Sequence, residues 1–235
     1  MTWSIVARDT ATGELGIAVA TRFFAVGALV PHVDPGAGAI ATQALVNPYY
    51  GIDGLALLRQ GLSAAETLAR LLASDPGRES RQVHLMDRQG RIAAHTGGAC
   101  VDWCGSVQRD GFSVAGNMLA GELVILDTAA AFARATGKPL AERFLLALEA
   151  GEAAGGDKRG KQSAAIRIHA GEAWPALDIR VDDHADPLPE LRRIYDRSFE
   201  RWQIFRGFLA TRAKPAGTTD RKVIDAALAA SQNQQ

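Results

Sequence analysis

The hydrophobic positions of this chain alternate between two periods, and the switches between them mark its elements. Residues 2–8 and 14–21 read as two strands joined by a polar turn, Asp9-Thr10-Ala11-Thr12-Gly13. The second is built of small, nearly all apolar residues, as expected of a strand covered on both faces. Pro31 and Pro35 interrupt the chain before another small-residue strand at 37–43. Two helices follow. Asn47-Pro48 supplies an N-cap and a first-turn proline, and Ser63-Ala-Ala-Glu66 is a capping box ahead of Leu68, Leu71 and Leu72. Beyond Asp75-Pro76-Gly77 the period shortens again: 82–87 and 91–96 flank a turn at 88–90 and predict a hairpin. A strand at 111–115, helices at roughly 121–136 and 139–151, a glycine-rich loop to Gly160 and strands at 162–169 and up to Val181 complete the pattern. From Pro187 onward the chain reads as amphipathic helix, ending in the polar tail Ser231-Gln-Asn-Gln-Gln235.

The order is strands, helix pair, strands, helix pair, strands, helix. A doubly wound parallel sheet would alternate strictly, whereas hairpins with paired helices predict antiparallel sheets stacked between helical layers, an α+β fold. Two units are expected: a sandwich domain over 1–186 and a C-terminal helical extension over 187–235.

Composition narrows the function classes. The chain has 235 residues, with 26 basic against 26 acidic side chains. That balance gives no electrostatic footprint for nucleic acid or an anionic membrane surface. No signal peptide or spanning segment is visible, and two cysteines make no disulfide framework. The expectation is a soluble cytoplasmic protein. No lysine precedes Lys138, so arginines supply every positive side chain of the first half.

Thr2 is the candidate of greatest chemical interest. A small residue behind Met1 lets an aminopeptidase remove that methionine, leaving an α-amino group beside a hydroxyl. Nucleophile and general base then reside in one residue. Around it, Thr2-Trp-Ser-Ile-Val-Ala-Arg-Asp9 and Thr12-Gly-Glu-Leu-Gly-Ile-Ala-Val-Ala-Thr-Arg-Phe-Phe-Ala-Val-Gly27 resemble the start of a bacterial family catalogued as domain of unknown function 1028 and considered Ntn-hydrolase-like. Further motifs match in order: Ala41-Thr-Gln-Ala44, Asn47-Pro-Tyr-Tyr-Gly51, Phe112-Ser-Val-Ala-Gly-Asn117, Glu149 to Asp157, Gly160-Lys-Gln-Ser-Ala164 and Arg180-Val-Asp-Asp-His184. The resemblance spans about residues 2–195. It implies a four-layer αββα sandwich with Thr2 as nucleophile on the first strand.

The same resemblance shows where this chain departs and implies roles for Asp157 and Ser163, and the ends of the strands suggest the others. In proteasome-like members a lysine on a neighbouring strand lowers the pKa of the amine and an acid supports it. Here no such lysine exists, Thr21 stands where the acid is expected, and Arg22 is the available cation. Arginine cannot accept a proton, so the base is the α-amine itself, with a reference pKa of about 7.7–8.0. Backbone N–H groups near Gln43 and Ala44 are the expected oxyanion donors. Asn117 offers a side-chain donor, Asp157 and Ser163 are the groups expected to orient the amine, and Asn47 and Tyr49 are candidate substrate contacts. The implied substrate is a small or peptide-like amide, and a homodimer or higher assembly is expected through exposed helix faces.

Three further readings compete. With Met1 retained, the same fold is a catalytically silent scaffold that binds a ligand or partner. Cys100, Cys104 and His95 suggest zinc, but a C-x₃-C spacing without a second ligand pair reads as packing; no metal or cofactor is expected. Gly36-Ala-Gly38-Ala-Ile-Ala41 matches a relaxed dinucleotide fingerprint on a segment that itself reads as strand, where the fingerprint requires a turn into a helix.

Overall fold

Alternation within β1 (Thr2–Arg8) sets the architecture, because both faces of this strand are covered. Trp3, Ile5 and Ala7 point one way, into a cluster with Phe132, Phe144, Leu145 and Leu148. Val6 points the other way, against Ile17, Val19, Ala39, Ala41 and Met86. The first face packs on helices, the second on another sheet. The protein is described by a computed structural model over residues 2–232, with side chains to 230. Met1, whose removal would expose the Thr2 amine, and the last residues of the polar tail lie outside the described residues.

Six strands form the first sheet, in the order β10-β9-β2-β1-β8-β7. They are β2 (Leu15–Thr21), β7 (Gly105–Arg109), β8 (Phe112–Asn117), β9 (Ser163–His169) and β10 (Leu177–Val181) around β1. The second sheet runs β3-β4-β5-β6, from β3 (Pro31–Asp34), β4 (Gly38–Ala44), β5 (Arg81–Asp87) and β6 (Ile92–Thr96). Every pairing is antiparallel. Helices α1 (Pro48–Arg59) and α2 (Ala64–Ser74) cover the four-stranded sheet, with Tyr50, Leu58, Leu68 and Leu71 packed on Ile40, Val83 and Leu85. Helices α3 (Leu123–Arg134) and α4 (Leu140–Ala153) cover the six-stranded one. The result is an αββα sandwich.

The helix starts form as their sequences predict. Asn47 Oδ1 accepts from Tyr49 N at 3.1 Å, and Ser63 and Glu66 close a reciprocal capping box. Two strands differ from expectation. β3 begins at Pro31 and ends just before Pro35, the two prolines expected to interrupt the chain, and β7 is short and polar. Both are edge strands, where a proline or a solvent-facing row costs no ladder bond.

The C-terminal part is helical but broken. α5 (Pro187–Ser198) lays Leu188, Leu191 and Tyr195 into the cluster beside α4, and Arg192 bridges to Glu149 and Glu142 at 2.6 and 3.1 Å. The single turn α6 (Trp202–Phe205) and α7 (Arg221–Gln232) follow, separated by a loop. Pro215 and the left-handed Gly217 (φ 61°), whose turn lets Thr218 N reach Phe208 O, prevent one continuous helix.

β2 and β9 approach closely at Gly16. A Cβ there would lie 2.7 Å from the Arg167 carbonyl oxygen and 3.0 Å from the Phe144 ring. Gly16→Ala is expected to cost about 1–3 kcal/mol by forcing the strands apart, read as a lowered urea midpoint at unchanged m-value.

Candidate functional site

At one end of the six-stranded sheet, four neighbouring strands each place a polar side chain on the face turned toward the second sheet. Thr2 pairs with Asn117 across β1 and β8, and Thr21 pairs with Ser163 across β2 and β9. Thr2 Oγ1 and Thr21 Oγ1 lie 3.1 Å apart, which closes the row Asn117–Thr2–Thr21–Ser163. All four side chains are buried. The hydroxyl of Thr21 thus occupies the position where an acid is expected, within hydrogen-bond reach of the candidate nucleophile.

The facing sheet contributes amides. Gln43, on β4, accepts at Oε1 from Ser4 Oγ (2.6 Å), and its Nε2 is shared among Gln82 Oε1 (2.8 Å), Ala115 O (3.2 Å) and Thr2 O (3.3 Å). Gln82, on β5, accepts a second bond from Asn117 Nδ2 at 3.0 Å and donates to Gly116 O at 2.8 Å. The Gln43 side chain therefore grips the carbonyl of Thr2 and locks β4 to β1. Only its backbone remains for the oxyanion role expected of it. One donor of Asn117 is likewise committed to Gln82.

Behind Gln43 lies a second relay. His84 Nε2 is 2.8 Å from Ser4 Oγ, and Nδ1 is 3.0 Å from Ser113 Oγ. Ser4 has one hydroxyl proton and donates it to Gln43, so His84 Nε2 must carry hydrogen and Nδ1 must accept from Ser113. Desolvation pushes the imidazole pKa down to about 3, so the ring is neutral. Ser4, Gln82, His84 and Ser113 were absent from the sequence-derived candidates. Their signal was polar residues at alternate positions of β1, β5 and β8, a pattern shared with any solvent-facing strand.

Asp157 is a buried clamp. Its Oδ2 accepts from Arg22 N at 2.8 Å and Arg159 Nη2 at 3.2 Å, and its Oδ1 accepts from Arg159 N at 2.9 Å. Arg22 and Arg159 complete the lock: Arg22 Nη1 donates to Arg159 O at 2.8 Å, and Arg159 Nη2 donates to Arg22 O at 3.0 Å. Arg22 thus ties the end of β2 to the loop before β9. Ser163 Oγ donates to Phe23 O at 2.5 Å and accepts from Val26 N at 3.2 Å, which fixes the turn after β2. Asn47 and Tyr49 stand apart from this group. Asn47 caps α1 and donates to Asp75 Oδ2 at 3.3 Å, Tyr49 is exposed, and neither lines the cavities beside Thr2. Cys100 Sγ donates to Arg81 O and His95 Nε2 faces Arg78 O, so each has a backbone partner.

Two cavities meet at this end of the sandwich and share Phe23 and Ala44. One, of about 60 Å³, is lined by Thr2, Gln43, Val26, Leu29, Val30 and Val46. The other, of about 230 Å³, adds Asn117, Met118, Cys100 and Arg159. A larger depression of about 690 Å³ lies at the opposite end of β1, around Arg8, Asp9 and Arg143. Its size is no argument for chemistry, because Arg143 there pairs with Asp9 and the polar row lies elsewhere. Ala25, Ala44 and Met118 hold φ of 51°, 70° and 56°, and they are the non-glycine residues in the left-handed region among those described. Ala44 and Met118 line the cavities and Ala25 adjoins Val26, so the strained backbone is gathered around Thr2.

Residues 2–191 match the model of a family of unknown function, DUF1028. A crystal structure of a protein from Silicibacter pomeroyi assigned to that family superposes with a TM-score of 0.87 at 31% identity, covering 94% of this chain and 96% of that one. An ancestral β-subunit, Anbu, from Yersinia bercovieri aligns with a TM-score of 0.42 at 12% identity over 89% of this chain and 99% of its own. No curated protein matches the chain. No helix among the described residues is long and apolar enough to cross a membrane.

Burial of a neutral His84 has a pH signature. Its folded pKa lies below the value of about 6.5 in the unfolded chain, so between about pH 6.5 and 3 only the unfolded chain takes up this proton. Stability is full above that window and falls as pH drops through it, by about 1.4 kcal/mol per pH unit. His32 and His169 are lowered by burial as well, so the contribution is read as a difference from His84→Gln. Urea titrations at several pH values are expected to show native stability falling more steeply than that of the variant. Parallel slopes would exclude a neutral buried His84.

Proposed function

The chain belongs to the DUF1028 family, and from that premise we propose that it is an N-terminal-nucleophile amidohydrolase acting on a small or peptide-like amide, with Thr2 exposed by removal of Met1. One observation carries the reading: the Thr2 hydroxyl, at the start of a central strand, lies in a buried polar row and borders a cavity between the two sheets. An isolated surface threonine would have neither the partner nor the cleft.

In this reading Thr2 Oγ1 attacks the amide carbonyl while the α-amine takes its proton. Backbone N–H groups at Gln43–Ala44 stabilise the tetrahedral oxyanion. Its collapse breaks the C–N bond, and the ammonium returns the proton to the departing amine. The ester on Thr2 is then hydrolysed by water, deprotonated by the same α-amine. Thr21 Oγ1, 3.1 Å away, is a hydroxyl partner for Oγ1. Gln43 holds the Thr2 carbonyl, and the Asp157 clamp keeps the end of β2, which carries Thr21, in place.

Intact mass spectrometry of the protein from its native cells is expected to show a chain lacking Met1. A retained methionine would favour a silent ligand-binding scaffold. With a panel of fluorogenic amides, Thr2→Ser should keep measurable turnover and Thr2→Ala should lose about 10³-fold or more, the scale of removing an activated nucleophile. Equal rates in Thr2→Ala and native protein would place the chemistry elsewhere.

A further inference from the structure

The two cavities that share Phe23 and Ala44 differ in chemistry. The smaller is walled by Phe23, Val26, Leu29, Val30 and Val46 beside Thr2. Its other polar lining group, Gln43, has both ends of its amide engaged within the protein. It therefore offers a ligand no side-chain donor or acceptor except the Thr2 hydroxyl. Its volume of about 60 Å³ leaves room for roughly four heavy atoms, on the scale at which one water needs about 10–15 Å³.

The larger cavity carries one charged lining residue, Arg159. Asp157 does not cancel that charge. Its carboxylate also accepts from the backbone N–H groups of Arg22 and Arg159, and the guanidinium of Arg22 donates to the Arg159 carbonyl, so a second cation lies on this loop beside the one Arg159–Asp157 pair. Arg159 Nε and Nη2 are held by Asp157 and by Arg22 O, which orients the guanidinium plane. Nη1 has no partner among the described residues, and the side chain is 43% exposed. A planar, oriented guanidinium with open donors is a carboxylate receptor.

We infer that the groove takes an anionic N-acyl compound: an amide with a short branched aliphatic group on one side and a carboxylate on the other. The aliphatic group, about the size of an isobutyl, fills the cavity beside Thr2. The carboxylate meets Arg159 Nη1, and the amide carbonyl lies between them beside Ala44. This substrate class rests on the hydrolase reading for its chemistry, but the recognition itself is a binding property.

The test uses the Thr2→Ala protein, so binding is read without turnover. Isothermal titration is run with N-isovaleryl derivatives of glycine, β-alanine and γ-aminobutyrate, their primary carboxamides and their N-acetyl counterparts. At least one isovaleryl carboxylate is expected to bind tenfold or more tighter than its carboxamide, and tenfold or more tighter than its acetyl counterpart. Arg159→Gln should erase the first difference and Leu29→Trp the second. Both preferences are also read without further substitution, so a misfolded variant leaves the test intact. Equal affinity for carboxylate and carboxamide, equal affinity for isovaleryl and acetyl, or no binding by any compound overturns the inference. Tight binding with no hydrolysis by Met1-free native protein would sink the hydrolase reading alone; hydrolysis without a carboxylate preference would sink this one alone.

Discussion

Everything at the Thr2 end of the sandwich depends on one buried amide. Gln43 reaches from β4 across to β1, accepting a hydrogen bond from Ser4 at Oε1 and donating from Nε2 to Thr2 O, Ala115 O and Gln82 Oε1. Apolar side chains between stacked sheets tolerate sliding, since dispersion and burial have no preferred direction. Amides do not, because a shift of one residue leaves buried donors and acceptors unpaired at about 1–3 kcal/mol each. The inter-sheet layer is accordingly divided. Val6, Ile17, Val19, Ala39, Ala41 and Met86 supply cohesion, and the Ser4–Gln43–Gln82–His84 half supplies register.

That division bears on how an amine at Thr2 would be tuned. The side chain that reaches Thr2 from the facing sheet is a neutral amide, and the nearby arginines are turned onto the loop at 157–160. No cation is positioned by these contacts to lower the amine's pKa through space. Desolvation remains, since Thr2 is buried, and burial disfavours a charged ammonium. Thr21 contributes a hydroxyl and no charge, so the hydrogen bond between the two hydroxyls directs Oγ1 without adding a second titrating group.

Much of the layer order was legible in the sequence because periodicity and caps are local signals. Asn47, Ser63 and Glu66 announce helix starts with no tertiary help. The row of Thr2, Asn117 and Ser163, with Asp157 nearby, was reached through family motifs, since strand pairing brings together residues far apart in the chain. The amide and imidazole relay was not legible. Gln82 and His84 alternate with Val83 and Leu85, which reads as one wet face and one dry face; only a second sheet laid over the polar side makes it buried. β3 escaped notice because proline argues against a strand in general, and an edge is the exception.

The left-handed alanines and methionine around the cleft set a limit on engineering this protein. Each carries a Cβ where glycine would be relaxed, at a cost of about 1–2 kcal/mol, partly offset by the stiffer unfolded chain that a non-glycine residue gives. A screen for thermal tolerance would therefore be drawn to glycine at Ala25, Ala44 or Met118. Those same changes would loosen the cavity walls at Ala44 and Met118 and the turn that leads into Val26. Robustness and a well-formed cleft are thus in competition at three turns of this backbone, and gains in melting temperature made there should be weighed against loss of shape at the site.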